Sequence, residues 1–236
     1  MKLLFNYTVR LALIVISTTA GINSLKAQLP DGYIGVPYSD SVYMGNKLNP
    51  VGAQMIPGRV ELAYYDLGGE GVAYHDNNLR NERALLNVKK SELRPGISKY
   101  IACFRKNDGV DINYTKDIVD FSHPNKVDPK VNQLYIGWQE DGEWTNYTVY
   151  VNQAGKYIIY TVYSSIDSNP AEILLNNNFA CRLNFPEKTG DLHKWTQSEV
   201  GTINFPKKGL YLLTVKYGSG VNYGYLDFLY NDARQK

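Results

Sequence analysis

Glu140, Asp141 and Glu143 set three carboxylates within four positions. Hydrolysis of a glycosidic bond uses two such groups, one as acid and one as base or nucleophile. Here they frame Asp141-Gly142, which between two apolar runs reads as a hairpin turn with solvated flanks. The run Asp66-Leu67-Gly68-Gly69-Glu70-Gly71 could approach a phosphate, but no Lys-Ser/Thr pair follows it, so the phosphate-binding lysine is missing. Two cysteines, Cys103 and Cys181, and three histidines, His75, His123 and His193, show no zinc spacing. No G-x-S-x-G elbow is present. An even cysteine count permits one disulfide in an oxidising compartment, and equally two small buried hydrophobes. The sequons at Asn113 and Asn146 read as Asn and Thr on the face of a sheet.

The elements that must position any site are strands. Among 236 residues there are 20 Tyr and 20 Gly, with 10 Pro and only 7 Phe and 3 Trp, a balance that favours strands and turns over helical bundles. Residues 210–217 (LYLLTVKY) alternate and place Tyr211, Leu213, Val215 and Tyr217 on one face. The runs 144–151 (WTNYTVYV) and 156–163 (KYIIYTVY) are joined by a short link, Asn152 to Gly155, of hairpin length. Pro206-Lys207-Lys208-Gly209 marks another turn before residues 210–217. Closely spaced strands of this kind predict an all-β sandwich. Two stretches are irregular: an extended lead-in over 28–57, and an insertion over 76–131 that has room for a short helix or a long functional loop.

Residues 1–27 carry Lys2 and Arg10, an apolar stretch at 11–17 (LALIVIS) and a small residue, Ala27, before Gln28. That is the layout of a signal peptide, and the stretch is too short to span a bilayer. The sequence therefore predicts a secreted or periplasmic protein with no membrane span. Without Lys2, Arg10 and Lys26, the 25 basic residues fall to 22 against 23 acidic ones. A nearly neutral chain offers no electrostatic attraction for nucleic acid.

Four segments, in order, decide the reading: GRVELAYYDLGGEGVAYHD (58–76), NQLYIGWQEDGEWTNYTVYV (132–151), HKWTQSEVGTINFPKKGLYLLTV (193–215) and VNYGYLDF (221–228). Together they resemble carbohydrate-binding module family 6, the β-sandwich modules of secreted bacterial polysaccharide-degrading systems. The resemblance implies a galactose-binding-like β-sandwich jelly roll over 58–236 that binds glycans through loops at one edge and is not catalytic. Its principal cleft implies two aromatic rings, matched by Trp138 and Trp195, and an amide, matched by Asn222. A pyranose packs its C–H face on an aromatic plane, and an amide both donates to and accepts from hydroxyls. On this reading the Trp195 ring is a partly exposed platform, and Trp144 at the start of its strand is structural.

The family's structural calcium uses two acids of the first strand and one of the last. Glu61 matches the first, but Ala63 and Gly224 stand at the other two positions. Calcium wants six to eight oxygens, so the sequence predicts a lost or greatly weakened calcium site and no cofactor. Asp227 falls on the opposite face of a regular strand from position 224. The expected partner is a polysaccharide or oligosaccharide, bound alone or beside separate glycan-degrading enzymes. A protein-interaction sandwich that has lost sugar binding is the alternative, and a small hydrolase using Glu140 and Glu143 a third.

Overall fold

The computed structural model describes residues 26–39, 48, 50–84, 89, 91, 93, 97–115, 133–167 and 169–231; most of the predicted signal peptide and residues 116–132 lie outside that set. The strands are β1 (Lys26–Ala27), β2 (Gln54–Ile56), β3 (Gly58–Glu61), β4 (Tyr74–His75), β5 (Ile112–Tyr114), β6 (Leu134–Ile136), β7 (Trp144–Val151), β8 (Gly155–Ser165), β9 (Ala171–Leu175), β10 (Asn178–Leu183), β11 (Asp191–Phe205), β12 (Lys208–Lys216) and β13 (Val221–Tyr230). The named helical elements are a 3-10 turn at Leu62–Tyr64 and α1 (Lys99–Ala102), and Ser91 is also in 3-10 conformation. The architecture is the expected all-β sandwich.

One sheet has seven strands, with β10-β9-β12-β7-β2 as its spine and β1 and β4 alongside. The other has six, ordered β11-β8-β13-β6-β5, with β3 pairing β13. Alternation puts Tyr147, Val149 and Val151 of β7 and Leu213 and Val215 of β12 on the inner face of the first sheet, opposite Tyr157, Ile159, Leu226 and Phe228 of the second; all are buried. Residues 210–217 alternate as expected, with Tyr211, Leu213, Val215 and Tyr217 all in this core.

Three links with hairpin-like turn residues are not hairpins. The connections β6–β7, β7–β8 and β11–β12 each carry the chain from one sheet to the other. Turn residues report a reversal of direction but not whether the next strand pairs sideways or stacks across the core, and here the inward-facing tyrosines and aliphatics of consecutive strands stack. A local hairpin does join β9 to β10, through Asn176 and Asn177 at φ 48° and 67°, the left-handed pair of a type I′ turn.

The lead-in packs on the sandwich. Its β2 runs parallel to β7, and Tyr33 donates to Asp66 Oδ2 at 2.7 Å. Asp66 also accepts from Thr148 N at 2.8 Å and Thr148 Oγ1 at 2.6 Å. The glycine-rich run is thus anchored to β7 by a buried carboxylate. Within the insertion, Ser98 caps α1 through Ile101 N, and β5 extends the second sheet by pairing β6. Cys103 and Cys181 are free and half-buried thiols; burial pushes the Cys181 thiol up to about 12.

Candidate functional site

The site begins where β6 ends. Leu134 and Ile136 point into the core, so Tyr135 between them points to the outer face of the six-stranded sheet. Gly137 follows, and its amide donates to Asp111 O at 3.1 Å. A Cβ on residue 137 would lie 2.2 Å from Asn222 Oδ1, so any side chain there would displace the Asn222 amide. The next residue, Trp138, has φ 58°. A bulky side chain in the left-handed region costs on the order of 1–3 kcal/mol and recurs at binding sites. This turn throws the Trp138 ring outward, where it is 38% exposed. Gln139 fastens it from behind, Nε2 to Gly137 O at 3.1 Å.

Beneath Trp138 the Tyr135 ring stacks at 6.1 Å and 22°, and Trp195 meets Tyr135 edge-on at 5.2 Å and 69°. Tyr135, Trp195, Val162 and Tyr225 form a second, smaller apolar cluster on this outer face. The structure therefore brings Trp138, Trp195 and Asn222 into one neighbourhood, but not as two open rings facing each other. Tyr135 stands between the tryptophans. Trp195 is 4% exposed, which corrects the expectation of a partly exposed platform. Its immediate neighbours Lys194 and Thr196 alternate to the other face, a register shift lies between Asp191 and Thr196, and the ring is covered by Tyr135, Val162 and Tyr225. Its surroundings include a hollow of about 140 Å³ lined by Glu187, Thr189 and Lys194. Asn222 is also buried, with Nδ2 donating to Leu192 O at 2.8 Å. Its amide holds the turn and β11 together.

Sequence reading missed two residues here. Tyr135 could have been found from the alternation in LYI beside Trp138. Arg83 gave no signal, being in an irregular loop; its guanidinium carbon lies 4.6 Å from the centre of the Trp138 ring. Trp144 also departs from its reading as a purely structural residue. It is half-buried against His75 and lines a groove of about 450 Å³ with Tyr33, Val72 and Asn146 on the outer face of the other sheet.

Beside the Trp138 turn lies a knot of buried acids. Glu143 accepts from Asn77 N at 3.0 Å and Glu140 N at 2.8 Å. Asp111 accepts from Glu82 N at 2.8 Å, and Asp76 from Asn78 N at 2.8 Å. Glu140, on the surface, accepts from Asn77 Nδ2 at 3.1 Å. Glu143 is thereby committed to tying loops together, and the Glu140–Glu143 pair does not stand as two carboxyls open to a substrate.

Burial pushes Asp76 up to about 7, the Asn78 N–H opposes this, and the charges of Glu143, Asp111 and Glu70 add to it. Burial likewise raises Asp111 and Glu143. A carboxyl raised in the folded state keeps a proton that the unfolded chain has released, so its stabilisation is present at acid pH and lost as pH rises through the folded value. The melting temperature is expected to fall by a few degrees from about pH 5 to about pH 8. Asp76→Asn should flatten that fall and raise the melt at the alkaline end. A wild-type melt that climbs with pH over this range would contradict the assignment.

The residues at the calcium position do not fit that ion. Gln54 spans the strand turn, accepting from Glu61 N at 2.7 Å and donating to Glu61 O and Tyr64 O at 3.3 and 3.4 Å. Ala63 is buried, and the Gln133 amide nitrogen lies 2.6 Å from where a side chain on Gly224 would begin. Asp227 pairs instead with Arg59 at 3.8 Å. No group of three or more potential metal-ligating side chains occurs among the described residues.

Fold and rings together define a β-sandwich with an aromatic row on one outer face. The solved structures it is similar to include several family 6 carbohydrate-binding modules, at low identity. A module from Clostridium stercorarium in complex with cellobiose is 10% identical, with 76% of this chain and 98% of that one covered and a TM-score of 0.45. A module of a Cellvibrio mixtus lichenase in complex with cellotriose is 17% identical over 52% of this chain and 88% of that one, TM-score 0.41. An arabinoxylan arabinofuranohydrolase of glycoside hydrolase family 43 from Bacillus subtilis matches at 16% identity over 56% of this chain and 26% of that one, TM-score 0.41. No protein-family model and no curated protein matches the chain.

Proposed function

We propose that this chain is an exported, non-catalytic carbohydrate-binding protein whose sugar stacks on Trp138. The observation that carries the reading is the Trp138 turn: a large aromatic held in a costly backbone conformation with its ring 38% exposed to solvent, a combination that recurs at binding sites. Asn222 fixes the turn by filling the space over Gly137, and Trp195 supports the platform through Tyr135. On this reading these two act from beneath the sugar, while Trp138 touches it. Export rests on the signal-like residues 1–27. The protein acts alone or beside separate enzymes that degrade the same glycan. A glycan array with the mature protein tests the reading: a defined set of related oligosaccharides should bind, and binding to none would overturn it.

A further inference from the structure

We propose that the glycan recognised at this site is anionic, bearing carboxylate or sulfate groups, and that Arg83 is the residue that reads them. This rests on the carbohydrate-binding reading of Trp138. The guanidinium lies over the Trp138 ring at 4.6 Å, so a sugar reaching that ring shares it with Arg83 or displaces the guanidinium sideways. Cation and ring attract each other, which holds the planar fork at the platform.

Arg83 has two acidic neighbours. Its Nε is 3.5 Å from Asp111 Oδ2, and its Nη2 is 3.8 Å from Glu82 Oε2. Charge-assisted hydrogen bonds run about 2.7–2.9 Å, so neither contact uses the fork well. The Glu82 N–H binds the other oxygen of Asp111, Oδ1, so the buried Oδ2 stays paired with Arg83 Nε, while the Glu82 carboxylate is 55% exposed, where water weakens such pairs. The terminal nitrogens thus suit a carboxylate or sulfate, which accept two parallel hydrogen bonds.

The nearby acids oppose an anionic ligand less than their number suggests. Asp76, Asp111 and Glu143 are buried within the loops, and burial raises all three toward the neutral form, although at Asp111 the Glu82 N–H and the Arg83 charge and hydrogen bond pull the other way. The Tyr135 hydroxyl is a further polar group at the platform. It is buried with no well-formed hydrogen bond among the described residues; burial raises its pKa, and the Arg83 charge and the Asn113 amide pull against that rise.

The test is calorimetric titration of the mature protein at low and high salt with four probes: oligogalacturonates, sulfated galactan oligosaccharides, and neutral xylan and β-1,3-glucan oligosaccharides. At least one anionic series should bind roughly tenfold or more tighter than both neutral ones, and salt should weaken it. Which anionic series binds separates carboxylate from sulfate. Arg83→Gln should erase the preference, while Arg83→Lys should keep the salt dependence and lose the bidentate part of the affinity. Neutral oligosaccharides bound as tightly, without salt dependence, would overturn the inference and leave the carbohydrate reading standing. The wild-type comparison decides this even if a variant folds poorly. Binding of no oligosaccharide on the array or here would remove the carbohydrate reading itself.

Discussion

Trp195→Ala is expected to lower stability by about 3–5 kcal/mol, the usual cost of emptying a buried tryptophan site. For a domain of this size that is a fall in melting temperature on the order of ten degrees. The ring is 4% exposed and packs edge-on against Tyr135, so its loss leaves a cavity beneath the platform as well as unburied area. Thermal or urea unfolding reads the effect directly. A change of under two degrees or so would show that the ring is a surface platform after all, as its polar sequence neighbours suggest.

Trp138→Ala should do the opposite. Its ring is partly exposed, so little packing is lost, and alanine suffers the same backbone conformation with a smaller side chain. Stability should therefore stay within about 1 kcal/mol of wild type. Glycan affinity should fall roughly tenfold or more, because stacking gives about 0.5–1.5 kcal/mol beyond the area that the sugar and ring bury together. Titration of both variants with an array-positive oligosaccharide, beside their melts, separates the two roles. Normal binding by Trp138→Ala would move the sugar site elsewhere.

The alternating strand 210–217 is readable because period-two burial is written in a single stretch of chain. Trp138 is reachable through the segments that resemble family 6 modules. The burial of Trp195 is not legible, for a physical reason. In a strand the adjacent residues point away from one another, so Lys194 and Thr196 say little about what covers the ring, while His193 and Gln197, two positions away, suggest exposure and mislead. Tyr135 and Val162, from two other strands, decide it. Arg83 is invisible because its contact with Trp138 joins an aperiodic loop to a distant turn, and no local pattern encodes such a meeting. The same holds for the turns: Asp141-Gly142 and Pro206-Lys207-Lys208-Gly209 announce a reversal but not which sheet receives the next strand.

The links that cross between the sheets also govern how the chain can fold. Strands that follow each other across these links do not pair; β7 pairs with β12, joining Val151 to Gly209, and β13 pairs with β3, joining Phe228 to Gly58. Such pairings close long loops before any contact compensates the lost chain entropy, which places folding in the millisecond-to-second range typical of sandwiches. Moreover β13 lies in the interior of the six-stranded sheet, flanked by β8 and β6. A nascent chain emerging from the ribosome can close the Asn176-Asn177 hairpin early, but its second sheet has a gap at the centre until residues 221–230 have been made.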